Sequence, residues 1–313
     1  MKNETNFNRL GLYRYNSRSF FDMEVLVSGL NSYLGRASIS YLQGDGYNVH
    51  GLSRDIGLLS YKIKVPVTAH IATVDLIKRG QAYESFNLTG LDLSFYFTQI
   101  PDLEDKIAIQ YELLSLRHFI LLSQRNGCNR VIYVGRTYDK HCLQDIKALF
   151  KELDVVYTIV LKDVAVGQGT SFDHFVNTMM TNRYVFLFNP KKKIKFCPFV
   201  LEDIFRWIKK IPWNEAFRNE EIEFGGEQII ELEELLQACI EAQKNGNTYK
   251  DCRVVSVPSK TLAQILNKSM YGIPYDSYSE YILKAARGKL ADNSKWQSLF
   301  PFDYTPVLSA LKY

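Results

Sequence analysis

The sequence predicts an α/β fold: a doubly wound, mostly parallel sheet followed by a smaller, mostly helical C-terminal lobe. Three observations carry that prediction. From Glu24 to Lys162, short apolar runs alternate with longer amphipathic stretches, the pattern of parallel strands covered by helices on both faces. The first run, Val25-Leu26-Val27, enters a glycine turn at Gly29 and leaves it at Gly35, straight into a helix-compatible segment. After Asp163 the texture changes to helical runs separated by Gly and Pro.

The strands expected in order are 25–27, 49–52, 68–71, 93–98, 130–134 and 157–161. Helical periodicity covers 36–46, 106–126 and 143–153. In the middle helix Ile107, Leu113, Leu114, Leu116, Phe119, Ile120 and Leu121 supply a broad apolar face. Asn126-Gly127 ends it. Further helices are expected at 172–181, 201–211 and 232–245, with mixed helix and coil from 250 to 313. The chain divides into an extension at 1–22, a nucleotide-binding domain at 23–163 and a substrate or partner lobe at 164–313, partly interleaved with the sheet. The aromatic end, from Trp296 to Tyr313, reads either as a docking tail or as part of the lobe's own core.

Composition narrows the function classes. Net charge is only +4 over 313 residues, too mild for the concentrated basic face that nucleic acid requires. The five cysteines, Cys128, Cys142, Cys197, Cys239 and Cys252, form no C-x-x-C, so neither a disulfide framework nor a zinc site is expected. No metal site is expected from the five scattered histidines either. No apolar run approaches a membrane span. The expected setting is cytoplasmic, with an organellar matrix as the alternative. Lys191-Lys192-Lys193 reads as a solvated turn.

The turn Ser28-Gly29-Leu30-Asn31-Ser32-Tyr33-Leu34-Gly35 carries the chemistry. Gly29 lets the chain leave the strand sharply, and Gly35 lets the helix pack closely on the sheet. The first N–H groups of that helix then point at a pyrophosphate. Ser32 stands where a glycine is usual, either bonding a phosphate or narrowing its approach. At the end of the second strand Ser53-Arg54 replaces the acidic residue that receives an NAD ribose; an arginine there suits a 2′-phosphate, hence NADP, with NAD as the lesser expectation.

With these residues in view, the chain resembles the short-chain dehydrogenase/reductase superfamily, a Rossmann-type fold. It looks most like the atypical, NmrA-like branch and the relatives of the nucleotide-binding accessory subunit of respiratory complex I. The segment VLVSGLNSYLGRASISYLQGDGYNVHGLSRD is similar to that branch's first strand, T-G-A-T-G-Y-L-G turn, helix and second strand. Gly90–Phe97, Asn129–Gly135, Lys162–Phe172 and Pro198–Ile204 follow its later segments in order. The resemblance implies a cofactor site made by Gly29, Asn31, Ser32, Tyr33, Leu34, Gly35, Arg54, Asp75, Thr98, Gln99, Gly135 and Lys162.

Most of that superfamily uses a Y-x-x-x-K pair, in which lysine helps tyrosine exchange a proton. Here Tyr138-Asp139-Lys140-His141-Cys142 places cysteine at the lysine position. Tyr138 and Lys140 remain the catalytic candidates, with Tyr133 and Lys147 outside them. Two functions follow: a divergent oxidoreductase or epimerase on a small molecule, or a non-catalytic NADP holder acting as redox sensor, scaffold or accessory subunit for a protein partner. His141, His174, Cys128, Cys142 and Cys197 read as structural.

Overall fold

The computed structural model describes residues 23–62, 69–100, 103–180, 184–188, 194–244, 253–271, 290–299 and 301–311. The extension at 1–22, the lysine run 191–193 and Cys252 lie outside the described residues. The first half runs β1 (Glu24–Ser28), α1 (Tyr33–Gly44), β2 (Asn48–Ser53), α2 (Ile56–Lys62), β3 (His70–Thr73), α3 (Gln81–Ser85), β4 (Leu91–Phe97), α4 (Lys106–Arg125), β5 (Arg130–Arg136), α5 (Leu143–Glu152) and β6 (Val156–Lys162). The rest adds β7 (Ala165–Val166), α6 (Ser171–Met180), β8 (Tyr184–Phe188), β9 (Lys195–Phe196), β10 (Phe199–Val200), α7 (Leu201–Ile208), β11 (Glu220–Phe224), β12 (Ile230–Glu231), α8 (Leu232–Lys244), β13 (Arg253–Val257) and α9 (Lys260–Tyr271).

Seven strands form one sheet in the order β11-β6-β5-β4-β1-β2-β3, and every pairing in it is parallel. The expected doubly wound sheet is therefore present. Strand order reverses between β1 and β4, so the crevice beyond their carboxyl ends is the binding position of this topology.

Alternation along the strands splits the core in two. Val25, Val27, Phe95 and Phe97 face one way, toward α1, α7, Trp207 and Trp296. Leu26, Tyr96 and Tyr133 face the other way, toward Leu116, Phe119, Ile146 and Phe150. A third cluster joins Phe172, Phe175, Ile230, Leu235 and Leu236 from the second half of the chain.

Three features depart from the sequence reading. The second half contains three two-stranded pairs, β7 with β10, β9 with β12 and β8 with β13, among its helices. β11 had no apolar signal because three of its five residues are glutamates; Glu220 meets Lys295, Glu221 meets Lys147 and Glu223 meets Lys140. In α4 the buried face is rotated from the expected stripe. Ile107 is 61% exposed, whereas Glu112, Ser115 and Ser123 are buried beside Leu116 and Phe119. Polar partners at the end of β4 draw that face inward.

The C-terminal aromatic segment packs on the main sheet. Trp296 is fully buried against Trp207 (ring centroids 4.8 Å apart) and Phe224. Its indole N–H donates to Glu223 O at 2.7 Å. It thereby occupies part of the free edge of β11, which would otherwise expose unpaired backbone groups.

Candidate active site

A cleft of about 580 Å³ opens at the switch point. Its lining runs from Ser53, Arg54 and Asp75 beyond β2 and β3, across the N terminus of α1, to Lys162, Thr170 and His174 beyond β6. Ten of the twelve residues expected at a cofactor site line it: Asn31, Ser32, Tyr33, Leu34, Arg54, Asp75, Thr98, Gln99, Gly135 and Lys162.

Gly29 and Gly35 lie behind that surface and shape it. Gly29 has φ +87°, and a Cβ there would stand 2.1 Å from Phe97 O. A Cβ at Gly35 would stand 2.3 Å from Gly29 O. Both glycines are thus demanded by the turn itself. Ser32 closes the turn as the N-cap of α1: its Oγ donates to Gly29 O at 2.8 Å and accepts from Gly35 N–H at 3.0 Å. Its hydroxyl is committed inward, so it is a capping group rather than a ligand donor. The N–H groups of Tyr33 and Leu34, in the first turn of α1, have no acceptor within the helix and open onto the cleft.

On the β2 side, the acids are occupied by turns. Asp55 Oδ1 accepts from Leu58 N–H at 3.0 Å, and Asp75 Oδ1 accepts from Ile77 N–H at 2.8 Å. Arg54 is exposed at the rim. Arg36, which the sequence reading overlooked, lines the same wall and donates to Asn31 O at 2.7 Å. Its signal was a cation in the first turn of a helix, where the dipole disfavours one.

On the β6 side, Lys162 is buried, donates to the Tyr33 hydroxyl and sits 4.8 Å from that ring's centre. An ammonium offers only donors, so the Tyr33 oxygen accepts and its own proton turns elsewhere. Arg136 also lines the cleft, donates to Ile100 O at 3.1 Å, pairs with Asp139 and stacks on Tyr138.

Tyr138 and Lys140 do not line this cleft. Lys140 is ion-paired with Glu223 on β11, and Lys147 with Glu221. Tyr133 is wholly buried, 3.2 Å from Thr98 Oγ1. His141 bonds Leu103 O, while His174 reaches the cleft. Burial pushes the thiols of Cys142, Cys197 and Cys239 up to about 12, which leaves them without thiolate character at neutral pH. Among the described residues no His, Cys, Asp and Glu group is placed to hold a metal, and no helix is long and apolar enough to cross a membrane.

Beneath the cleft floor lies Glu112, 1% exposed. It accepts from Ile100 N–H at 3.0 Å and from Gln99 N–H at 3.3 Å. Burial raises its carboxyl from 4.5 to about 7, partly offset by those N–H groups and by Arg136. A raised carboxyl keeps its proton in the folded protein after the unfolded chain has lost it. Stability therefore falls as pH rises from 4.5 through about 7. Glu112→Gln is expected to remove that slope, read as urea midpoints across the same range.

No protein-family model and no curated protein matches the chain. Solved structures do. An epimerase from Methanothermobacter thermautotrophicus superposes with TM-score 0.67 at 14% identity, over 94% of this chain and 91% of that one. The UDP-glucuronic acid 4-epimerase of Bacillus cereus, solved with UDP-glucuronic acid and NAD, gives TM-score 0.66 at 12% identity, over 93% and 97%. A UDP-glucose 4-epimerase from Thermotoga maritima, solved with UDP-glucose, gives 0.64 at 13%, over 93% and 96%. The chain has the doubly wound α/β fold of these epimerases along nearly its whole described length.

Proposed function

We propose that the cleft binds a nicotinamide dinucleotide, NADP in preference to NAD. One observation carries this reading: Arg36 and Arg54 line the β2 side of the cleft while Asp55 and Asp75 are turned into backbone caps. A 2′-phosphate finds cations there, while each acid already spends one carboxylate oxygen on backbone N–H groups. The pyrophosphate would rest on the Tyr33 and Leu34 N–H groups. Asn31, Thr98, Gln99, Gly135 and Lys162 would meet the rest of the cofactor. When bound, the cofactor supplies a hydride donor or acceptor.

The activity follows from what faces that cofactor. A divergent oxidoreductase or epimerase of NmrA-like type would act on a small molecule in the space bounded by Tyr33, Lys162, Thr170 and His174. The second reading is a non-catalytic holder, serving as redox sensor, scaffold or accessory subunit. It is favoured by the positions of Tyr138 and Lys140, one stacked on Arg136 and the other spent on Glu223. Mutating both is expected to leave any NADPH consumption unchanged, and its loss would return them to the chemistry.

Arg54→Gln tests the cofactor directly. Losing one charged hydrogen bond of about 1.5–3 kcal/mol should weaken NADPH by roughly 10- to 100-fold and leave NADH nearly unchanged. Equal weakening of both would remove Arg54 from the 2′-phosphate. Ser32→Gly costs the cap only a few tenths of a kcal/mol and frees the Gly35 N–H. It should therefore tighten NADPH by roughly two- to tenfold.

A further inference from the structure

The loop after β4 is held from beneath by a carboxylate that no cofactor motif requires. Thr98, Gln99 and Ile100 all line the cleft. Glu112 takes the N–H groups of the last two. Arg136 takes the Ile100 carbonyl from the other side. The Gln99 amide donates to Ser28 Oγ at 2.9 Å and to Ser115 Oγ at 3.1 Å. This ties the end of β1, the end of β4 and one face of α4 into a single polar knot. Ser115 lies one helical turn beyond Glu112, on the same buried face.

We propose that Glu112 is the positioning residue of the cleft floor: its ionised carboxylate fixes the Gln99–Ile100 backbone in the form that receives the dinucleotide, and its protonation loosens that form. The regulation rests on the dinucleotide reading of the cleft. An ionised carboxylate is an acceptor on both oxygens, which suits two N–H groups that arrive together. A protonated carboxyl turns one oxygen into a donor, and one of those N–H bonds then competes with the need to place that hydrogen.

The surroundings make the two forms nearly balanced. Burial opposes the charge, while the backbone N–H groups and Arg136 support it, and the carboxyl titrates at about 7. The titratable and charged groups facing it are Tyr96 on β4, Tyr133 and Arg136 on β5, and Cys142 beyond the turn, with Asp139 paired to Arg136. Tyr96 and Tyr133 are held protonated by their own burial, and Cys142 stays a thiol. Tyr96, Tyr133 and Cys142 thus keep their protons while Glu112 changes charge near neutrality.

The test follows the backbone amide resonances of Gln99 and Ile100 in the full chain between about pH 5.5 and pH 8.5, in the wild type and in Glu112→Gln. NADPH affinity is measured over the same range. The amides should move together in the wild type with a midpoint near that of the carboxyl, and stay still in Glu112→Gln. The affinity ratio of wild type to variant should rise several-fold with pH; taking the ratio cancels titration of NADPH itself. Wild-type amides that do not titrate, or that titrate equally in Glu112→Gln, would overturn the proposal. If NADPH fails to bind at any pH, the cofactor reading falls, and the amide titration still decides the role of Glu112.

Discussion

Replacing Gly29 by alanine is expected to lower the unfolding midpoint and remove dinucleotide binding in the same variant. The left-handed backbone at Gly29 costs an L-residue about 1–2 kcal/mol. The added methyl would also stand 2.1 Å from Phe97 O and 2.8 Å from the Phe97 carbonyl carbon. Those atoms belong to the last residue of β4 and cannot swing aside like a side chain. Relief requires β1 and β4 to part, at a further ~1–3 kcal/mol of overpacking. A total of roughly 2–5 kcal/mol should appear as a midpoint lowered by ~3–8 °C in a chain of this size. Because the N–H groups of α1 are aimed by this turn, binding should fall even where the variant remains folded. Gly80→Ala, at a glycine with nothing within 4 Å of the added carbon, is the control: as the N-cap of α3 it should lose at most about 1 kcal/mol and leave dinucleotide binding unchanged. A Gly29→Ala protein with wild-type stability would mean the turn is not built as described.

Trp296→Ala is expected to be the most destabilising of the aromatic substitutions. The ring is fully buried between Trp207, Phe224, Phe302 and Tyr304. Truncating a buried tryptophan costs about 3–5 kcal/mol. It also strips the Glu223 carbonyl of its donor, at about 1–3 kcal/mol if that oxygen stays dry. Trp296→Phe keeps most of the packing and loses the N–H, so its cost should be nearer the second figure alone. Measured as urea midpoints, the two variants separate packing from edge protection. If Trp296→Ala were neutral, the C-terminal segment would be a detachable tail rather than a part of the core. The Trp296 N–H and the Lys140 ion pair meet on the same residue of β11, Glu223.

The parts of this molecule that were legible in the sequence are those written in local signals. The β1–turn–α1 unit announces itself through Gly29 and Gly35, whose demands are purely steric. The main-sheet strands β1, β4, β5 and β6 are largely buried on both faces and read as apolar runs. β11 was hidden because its charge is neutralised only in the fold, by lysines 74 and 83 residues before their glutamate partners and one 75 residues after. The buried face of α4 departs from its apolar stripe for a related reason: Glu112 and Ser115 are partnered by Gln99 and Ile100, just beyond β4, which no helical periodicity reveals. Within the site, the expected loop residues came from the family resemblance; Arg36 follows that loop directly on α1, whereas Arg136 reaches the cleft from β5 through packing that no local signal reveals. Ser32 was read as a possible phosphate ligand, and the cap it forms with Gly35 was equally local; the S-x-x-G spacing lacks the glutamate that usually advertises such a cap.

NADP binding in this cleft is tested most directly by a fluorescence titration of the purified chain with NADPH and with NADH, with thermal unfolding followed in parallel. Saturable NADPH binding that raises the unfolding midpoint is expected, with at least tenfold weaker NADH binding, since one lost charged contact is worth about that factor. Failure of both nucleotides to bind or to shift the midpoint, or NADH binding as tight as NADPH, would contradict it.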